Sequence, residues 1–118
     1  FAGTQRLPRY VGVAKAAEMM FTSDPISGVE AVQWGLANRS FTEEDLMPKT
    51  LEIAKKIAKK SPISLKAAIH TLQYSKSASF FEGVAAEADS FGAVFVSEDA
   101  KEGIQAFIEK REPVFKGK

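Results

Sequence analysis

The 118-residue sequence contains no cysteine and a single histidine, His70. The first absence excludes a disulfide framework, thiolate chemistry and any Cys-based metal site. The second excludes a histidine cluster as a metal site. No apolar run approaches the roughly 20 residues that a membrane-spanning helix requires, and no signal-peptide pattern is visible. No membrane partner and a soluble, cytoplasmic setting are therefore expected. A charge excess is missing too. With 16 Lys and Arg against 15 Asp and Glu the net charge is +1, whereas a dedicated nucleic-acid binder concentrates basic side chains on one face. Internal repeats and low-complexity segments are also missing. The chain opens on "FAGTQ" without an initiator Met, which raises the expectation of a piece of a longer protein.

What remains is ordinary for a globular chain: 45% hydrophobic and 26% charged residues. The length suits one domain with a modest core, for which extra burial against a partner would help. The hydrophobic pattern predicts helices nearly throughout. Residues 4–11 form a first short helix restricted by Pro8, and Gly12 offers a stop before a helix over 13–22. After the loop "TSDPIS", Ser27 and Glu30 fit a capping box for a helix over 28–34 that ends at Gly35. "LANRSF" at 36–41 is the one candidate strand. Thr42 opens the next helix, with Glu43, Glu44 and Asp45 in its first turn, where the helix dipole favours anions. It runs to Lys60, with Pro48 as the point where an interruption would fall. Leu51, Ala54, Ile57 and Ala58 are its apolar stripe.

Ser61–Pro62 caps another helix, whose stripe is Leu65, Ala68, Ile69 and Leu72. Ser79 with Glu82 repeats the capping box and opens the best-defined amphipathic helix, faced by Phe81, Val84, Ala85, Ala88, Phe91, Gly92 and Phe95. Ser97 caps the last helix, striped by Ile104, Phe107 and Ile108, and Pro113 stops it. The expected fold class is all-α, with a single extended segment at 36–41. A lone strand cannot satisfy its own backbone, so it would need a partner strand from elsewhere.

Few residues invite chemistry. Glu43, Glu44, Asp45, Glu98 and Asp99 are accounted for by the helix dipole, and Glu30 and Glu82 by capping. Glu87 and Asp89 read as solvated, and so do Lys55, Lys56, Lys59 and Lys60. His70 sits beside its helix stripe without an evident orienting partner. No nucleophile elbow occurs, and Gly3, Gly12 and Gly28 make no phosphate-cradling motif. The Phe81–Phe95 face reads first as fold interior and second as a homo-oligomer interface, because its small residues allow close helix approach. The tail carries Lys110, Arg111, Lys116 and Lys118. Cations suit a helix C-terminus, and on the residues alone this reading is favoured. The competing reading is a site for a nucleotide-like phosphate, with Phe107 as a flat apolar face and Lys110 at i+3 as the charge.

Four stretches, in order, carry a resemblance. "AGTQRLPRYVG" at 2–12 resembles the "GGTQRLPR" segment of the enoyl-CoA hydratase/isomerase (crotonase) superfamily, with Ala2–Gly3 in place of its Gly-Gly. "SGVEAVQWGLANRSF" resembles its "S-x-x-E-A-x-x-x-G-L-V-N-x-V" stretch. "AKKIAKKSPISLKAAI" is similar to its "A-x-x-I-A-x-x-S-P-x-A" segment, and "SEDAKEGIQAFIEKREPVFKGK" to its C-terminus. The resemblance implies the C-terminal helical oligomerisation region of the crotonase fold over residues 1–118. Residues 1–41 would be the junction with a missing spiral core, and 42–118 the oligomerisation part.

In that family the oxyanion-hole amides and two catalytic glutamates precede the "GGTQRL" segment, so no catalytic residue is expected here. The resemblance further implies a parent that hydrates 2-enoyl-CoA thioesters or shifts their double bond in fatty acid metabolism. A coenzyme A thioester would be its substrate, with no tightly bound cofactor and no metal, and it would assemble as a trimer or hexamer. Phe107 and Lys110 match the positions that contact the adenine and phosphate end of coenzyme A, which turns the balance toward the phosphate reading for the parent enzyme. The fragment alone is expected to be inactive. The alternative is a free-standing helical interaction module that holds partner helices through the Phe81–Phe95 face and has no affinity for coenzyme A.

Overall fold

The structure, a computed structural model, describes residues 2–118. In chain order its helices are α1 (Gly3–Arg6), α2 (Pro8–Val11), α3 (Val13–Thr22), α4 (Gly28–Gln33), α5 (Glu43–Ala58), α6 (Pro62–Ser77), α7 (Phe80–Phe95) and α8 (Glu98–Glu109). Contacts divide the chain into two units, one ending at Ile53 and the other running Ala54–Lys118, with the boundary inside α5.

In the first unit, the expected helix over 4–11 is two helices. Pro8 lacks the N–H that would continue the ladder, so α1 closes at Leu7, whose N–H reaches the Gly3 carbonyl at 2.9 Å, and α2 starts afresh with Pro8 in its first turn. Gly12, at φ +79°, then redirects the chain into α3. The Ser27–Glu30 capping box is complete. Ser27 Oγ accepts from the Glu30 N–H at 3.2 Å, and Glu30 Oε2 accepts from the Ser27 N–H at 2.8 Å. Across from it, the Lys15 ammonium lies 4.4 Å from the centroid of the Trp34 ring, at the end of α4.

The expected fold class needs correction at 36–41. No strand occurs among the described residues. Gly35, at φ +75°, turns the chain so that its N–H reaches the Val32 carbonyl at 3.1 Å while the Leu36 N–H reaches Ala31 at 2.8 Å. This is a Schellman closure, and the Ala37 N–H joins it at 3.0 Å. The first two donors of "LANRSF", those of Leu36 and Ala37, are thus both taken by the Ala31 carbonyl that α4 leaves open, and the segment begins as a helix closure rather than a ladder. The segment then folds back on α4, where a Cβ on Gly28 would stand 2.6 Å from Ser40 Oγ. Pro48 does not interrupt α5; it forfeits one ladder bond on an exposed face.

In the second unit, α6 and α7 form a helical hairpin joined by Ala78 and Ser79, and α8 packs on α7. The Ser79–Glu82 capping box is complete, with Ser79 Oγ accepting from Glu82 N at 3.3 Å and Glu82 Oε2 from Ser79 N at 2.8 Å. The face that α7 turns inward is not the one with the large side chains. Its half-buried line is Gly83, Ala86, Ser90 and Val94, spaced i, i+3, i+7, i+11, while Phe81, Phe91 and Phe95 lie exposed on the other side. α6 does likewise: Ala67, Thr71 and Tyr74 are half-buried, and Ile69 and Leu72 face out. In α8, Asp99 and Ala106 are buried, whereas Ile104, Phe107 and Ile108 are exposed. The interior reading of the Phe81–Phe95 face therefore fails in this chain. Small residues let helices approach closely, and the chain spends its small faces on itself, leaving its large apolar faces outward.

Candidate functional site

The end of α8 and the segment after it form the most elaborated polar site among the described residues. α8 closes with a second Schellman turn. The Lys110 N–H reaches the Phe107 carbonyl at 3.3 Å, and the Arg111 N–H reaches Ala106 at 3.0 Å. The position that this turn places in the left-handed region usually holds glycine. Here it holds Lys110, at φ 56° and ψ 37°, at a cost of roughly 1 kcal/mol for a residue with a Cβ. Phe107, one turn back, is 85% exposed. The two residues singled out in sequence thus occur together at the helix end, both open to solvent.

Arg111 does not join them as a free cation. Its Nη1 and Nη2 donate to the two carboxylate oxygens of Glu102 at 2.5 and 2.9 Å, and its Nε donates to Glu109 Oε2 at 2.6 Å. Glu102 also accepts the Val114 N–H at 2.8 Å. The Arg111 hydrogen bonds, followed by that of Val114, hold the Glu102 carboxyl down at about 2. Glu109 is held below its usual range first by Gln105 and then by Arg111, and the same carboxylates push Arg111 upward.

One turn earlier, Asp99 is only 3% exposed. Its Oδ2 accepts from Ser61 Oγ at 2.7 Å and from the Gly117 N–H at 3.0 Å, and its Oδ1 accepts from the Lys116 N–H at 2.7 Å. Burial pushes this carboxyl up, but the hydrogen bonds from Ser61, Lys116 and Gly117 outweigh it and hold it below its usual value. Ser61 serves twice, since its Oγ also accepts from the Ser64 N–H at 3.4 Å as the cap of α6. Next to Glu102, Phe115 lies over Gly103, where an added Cβ would meet its ring at 3.5 Å.

Sequence reasoning assigned Asp99 to the helix dipole and passed over Glu102 and Gly103. The signal was the i, i+3 spacing of two acids beside Gly103 and Ala106, opposite the apolar stripe. The Ser61–Asp99 contact spans 38 positions, and no local pattern announces it. His70 has a ring neighbour, Tyr74, edge-on at 5.3 Å. No group of three or more potential metal-ligating side chains occurs among the described residues. A groove of about 480 Å³ opens on the α6–α7 hairpin between Thr71, Leu72, Tyr74, Phe80, Val84 and Glu87. No helix among the described residues is long and apolar enough to cross a membrane.

Comparison with known proteins places these features in a family. The enoyl-CoA hydratase/isomerase family model matches residues 1–118. A probable enoyl-CoA hydratase of Bacillus subtilis is 50% identical over 118 residues, covering 99% of this chain and 46% of its own length. A crotonyl-CoA hydratase of Syntrophomonas wolfei is 36% identical over 115 residues, covering 98% of this chain and 44% of its own. The crystal structure of an enoyl-CoA hydratase from Bacillus anthracis superposes with a TM-score of 0.94 at 38% identity, over 98% of this chain and 45% of that one.

The chain spans a little under half the length of the relatives it matches. That finding corrects the expected architecture a second time. The C-terminal helical oligomerisation region implied by the resemblance is replaced by a coarser statement: a helical portion, just under half, of a longer relative's length. With the match running from residue 1 to residue 118, the chain belongs to the enoyl-CoA hydratase/isomerase family.

Proposed function

We propose that this chain is part of an enzyme that hydrates the double bond of 2-enoyl-CoA thioesters or shifts it, with an acyl-CoA as substrate and no tightly bound cofactor. Such a reaction passes through a thioester enolate, whose charge is stabilised by preorganised hydrogen-bond donors. Within it, Phe107 and Lys110 contact the adenine and phosphate end of coenzyme A, the first by stacking and the second by charge. The observation that carries this reading is the pairing of two exposed residues at the α8 terminus, Lys110 in a left-handed turn and Phe107 one turn behind, in a chain matched throughout by the family model.

The same chain contributes assembly surface. Phe81, Phe91 and Phe95 on α7, and Ile69 and Leu72 on α6, are exposed, and burying them against further copies or the remainder of the enzyme supplies the apolar burial that this chain does not provide itself. The 118 residues alone are expected not to turn over substrate. Hydration of crotonyl-CoA by the isolated chain at the rate of a full-length hydratase overturns that part.

The outward α7 face also favours a second reading, a helical interaction module indifferent to coenzyme A. Calorimetric titration with coenzyme A separates the two. Binding that Lys110→Ala weakens supports the enzyme reading, and a stable assembly with no heat of binding supports the module.

A further inference from the structure

Lys110 occupies a glycine position, held within its own turn by the two Schellman hydrogen bonds. A further restraint lies one residue on. Arg111 is forked onto Glu102 and tied to Glu109. Glu102 also takes the Val114 N–H, and Asp99 takes those of Lys116 and Gly117 while holding Ser61 at the start of α6. The Asp99 N–H in turn donates to the Lys118 carbonyl at 3.0 Å. The segment after α8 is therefore fastened at several points to two acids one turn apart on the helix that precedes it.

We propose that Glu102 and Asp99 are positioning residues. They latch residues 111–118 onto α8 and so hold Lys110 in the left-handed turn at the helix end, three residues after Phe107. Neither acid is assigned a contact with the ligand. A backbone with a Cβ leaves the left-handed region when it is free to do so, and here the fork on the next residue removes that freedom. Glycine would adopt the turn without a latch but would carry no charge. The arrangement supplies both the turn and the cation. The coenzyme A consequence rests on the function proposed above; the latch itself does not.

Trypsin reads the latch directly, because cleavage after Lys110 or Arg111 requires a freed side chain and an extended backbone. In Glu102→Gln, one charge-assisted fork is lost at constant shape, and cleavage at these two bonds is expected to accelerate about tenfold. Arg111→Lys, which keeps the charge and loses the fork, is expected to behave in the same way. Coenzyme A affinity, measured by calorimetry on the 118-residue chain, is expected to fall about tenfold in Glu102→Gln although Lys110 is intact. Lys110→Gly is expected to raise the melting temperature while abolishing the binding increment.

Unchanged trypsin rates in both latch variants, with helical circular dichroism preserved, overturn the latch. Accelerated cleavage with unchanged coenzyme A affinity overturns the positioning role. Absence of coenzyme A binding by the wild-type chain overturns the ligand assignment, and the latch then stands or falls on the trypsin rates alone.

Discussion

Glu102 and Arg111, nine residues apart, meet as two parallel hydrogen bonds of 2.5 and 2.9 Å across the end of α8. A fork of this kind fixes both distance and orientation, and it makes the stability of the α8 terminus depend on one carboxylate. The folded-state pKa of Glu102 is lowered from 4.5 to about 2. A lowered carboxyl pKa contributes stability that is present in full above the unfolded value and is lost as pH falls toward the folded one. Acid titration of the wild-type chain, followed by far-ultraviolet circular dichroism, should show weakening that begins near pH 4.5 and continues toward pH 2. Glu102→Gln should be less stable at pH 7 and flatter across that window. Asp99, whose pKa is also lowered, adds to the slope in the same direction.

Gly103 sits in the interior of α8 under Phe115, and an added Cβ would meet that ring at 3.5 and 3.8 Å, ordinary contact distances. Its backbone φ is negative, as in the rest of the helix. Gly103→Ala should therefore stabilise the chain by about 0.5–1 kcal/mol through the helix propensity gained, measured by urea unfolding. A destabilised variant would mean that Phe115 has no room to yield.

Two serine caps that look alike in sequence should differ in consequence. Ser79→Ala removes a capping box at an exposed helix start and should cost about 1 kcal/mol. Ser61→Ala removes a cap and also the hydroxyl that donates to buried Asp99 at 2.7 Å. It should cost more than Ser79→Ala and should also release the 111–118 segment to trypsin. Equal losses at the two sites would show that the Ser61–Asp99 bond adds nothing.

Truncating a core phenylalanine costs about 3–5 kcal/mol. Phe81, at 82% exposure, and Phe91, at 66%, should behave as surface residues in the isolated chain. Phe81→Ser and Phe91→Ser should change unfolding free energy by about 0.5 kcal/mol or less. Self-association measured by analytical ultracentrifugation should fall in the double variant. A loss of several kcal/mol in the monomer would return the α7 face to the interior.

Local chemistry was legible in the sequence. Ser27 with Glu30 and Ser79 with Glu82 announced capping boxes that close with the expected atoms, and Gly35 announced a left-handed stop. These signals depend on neighbours within four positions, so they survive whatever surrounds the chain. The faces were not legible. The spacing of Phe81, Phe91 and Phe95 marks a side that wants burial, but it does not say by what, and in this chain the line Gly83–Ala86–Ser90–Val94 wins because small residues pack closest. "LANRSF" was misread for a related reason: its composition suits a strand, while its first N–H groups are claimed by the end of α4. At the candidate site, Phe107 and Lys110 were proposed through a resemblance supported by their spacing, and their contact with coenzyme A is still a proposal. The latch behind them was not, because Asp99 reads as a dipole residue until Ser61 and the backbone of 116–117 are placed around it.

Trp34 is the sole tryptophan of the sequence, and it lies in the unit that ends at Ile53, with the Lys15 ammonium 4.4 Å above its ring. The molecule therefore carries an optical reporter confined to one of its two parts. Indole emission follows the surroundings of Trp34, including its contact with Lys15 of α3, while the 222-nm ellipticity sums helices from both units. Recording the two signals along one denaturant gradient turns this accident of composition into a measurement of cooperativity: coincident midpoints mean that the units melt as one body, and separated midpoints assign the earlier transition to its half of the chain.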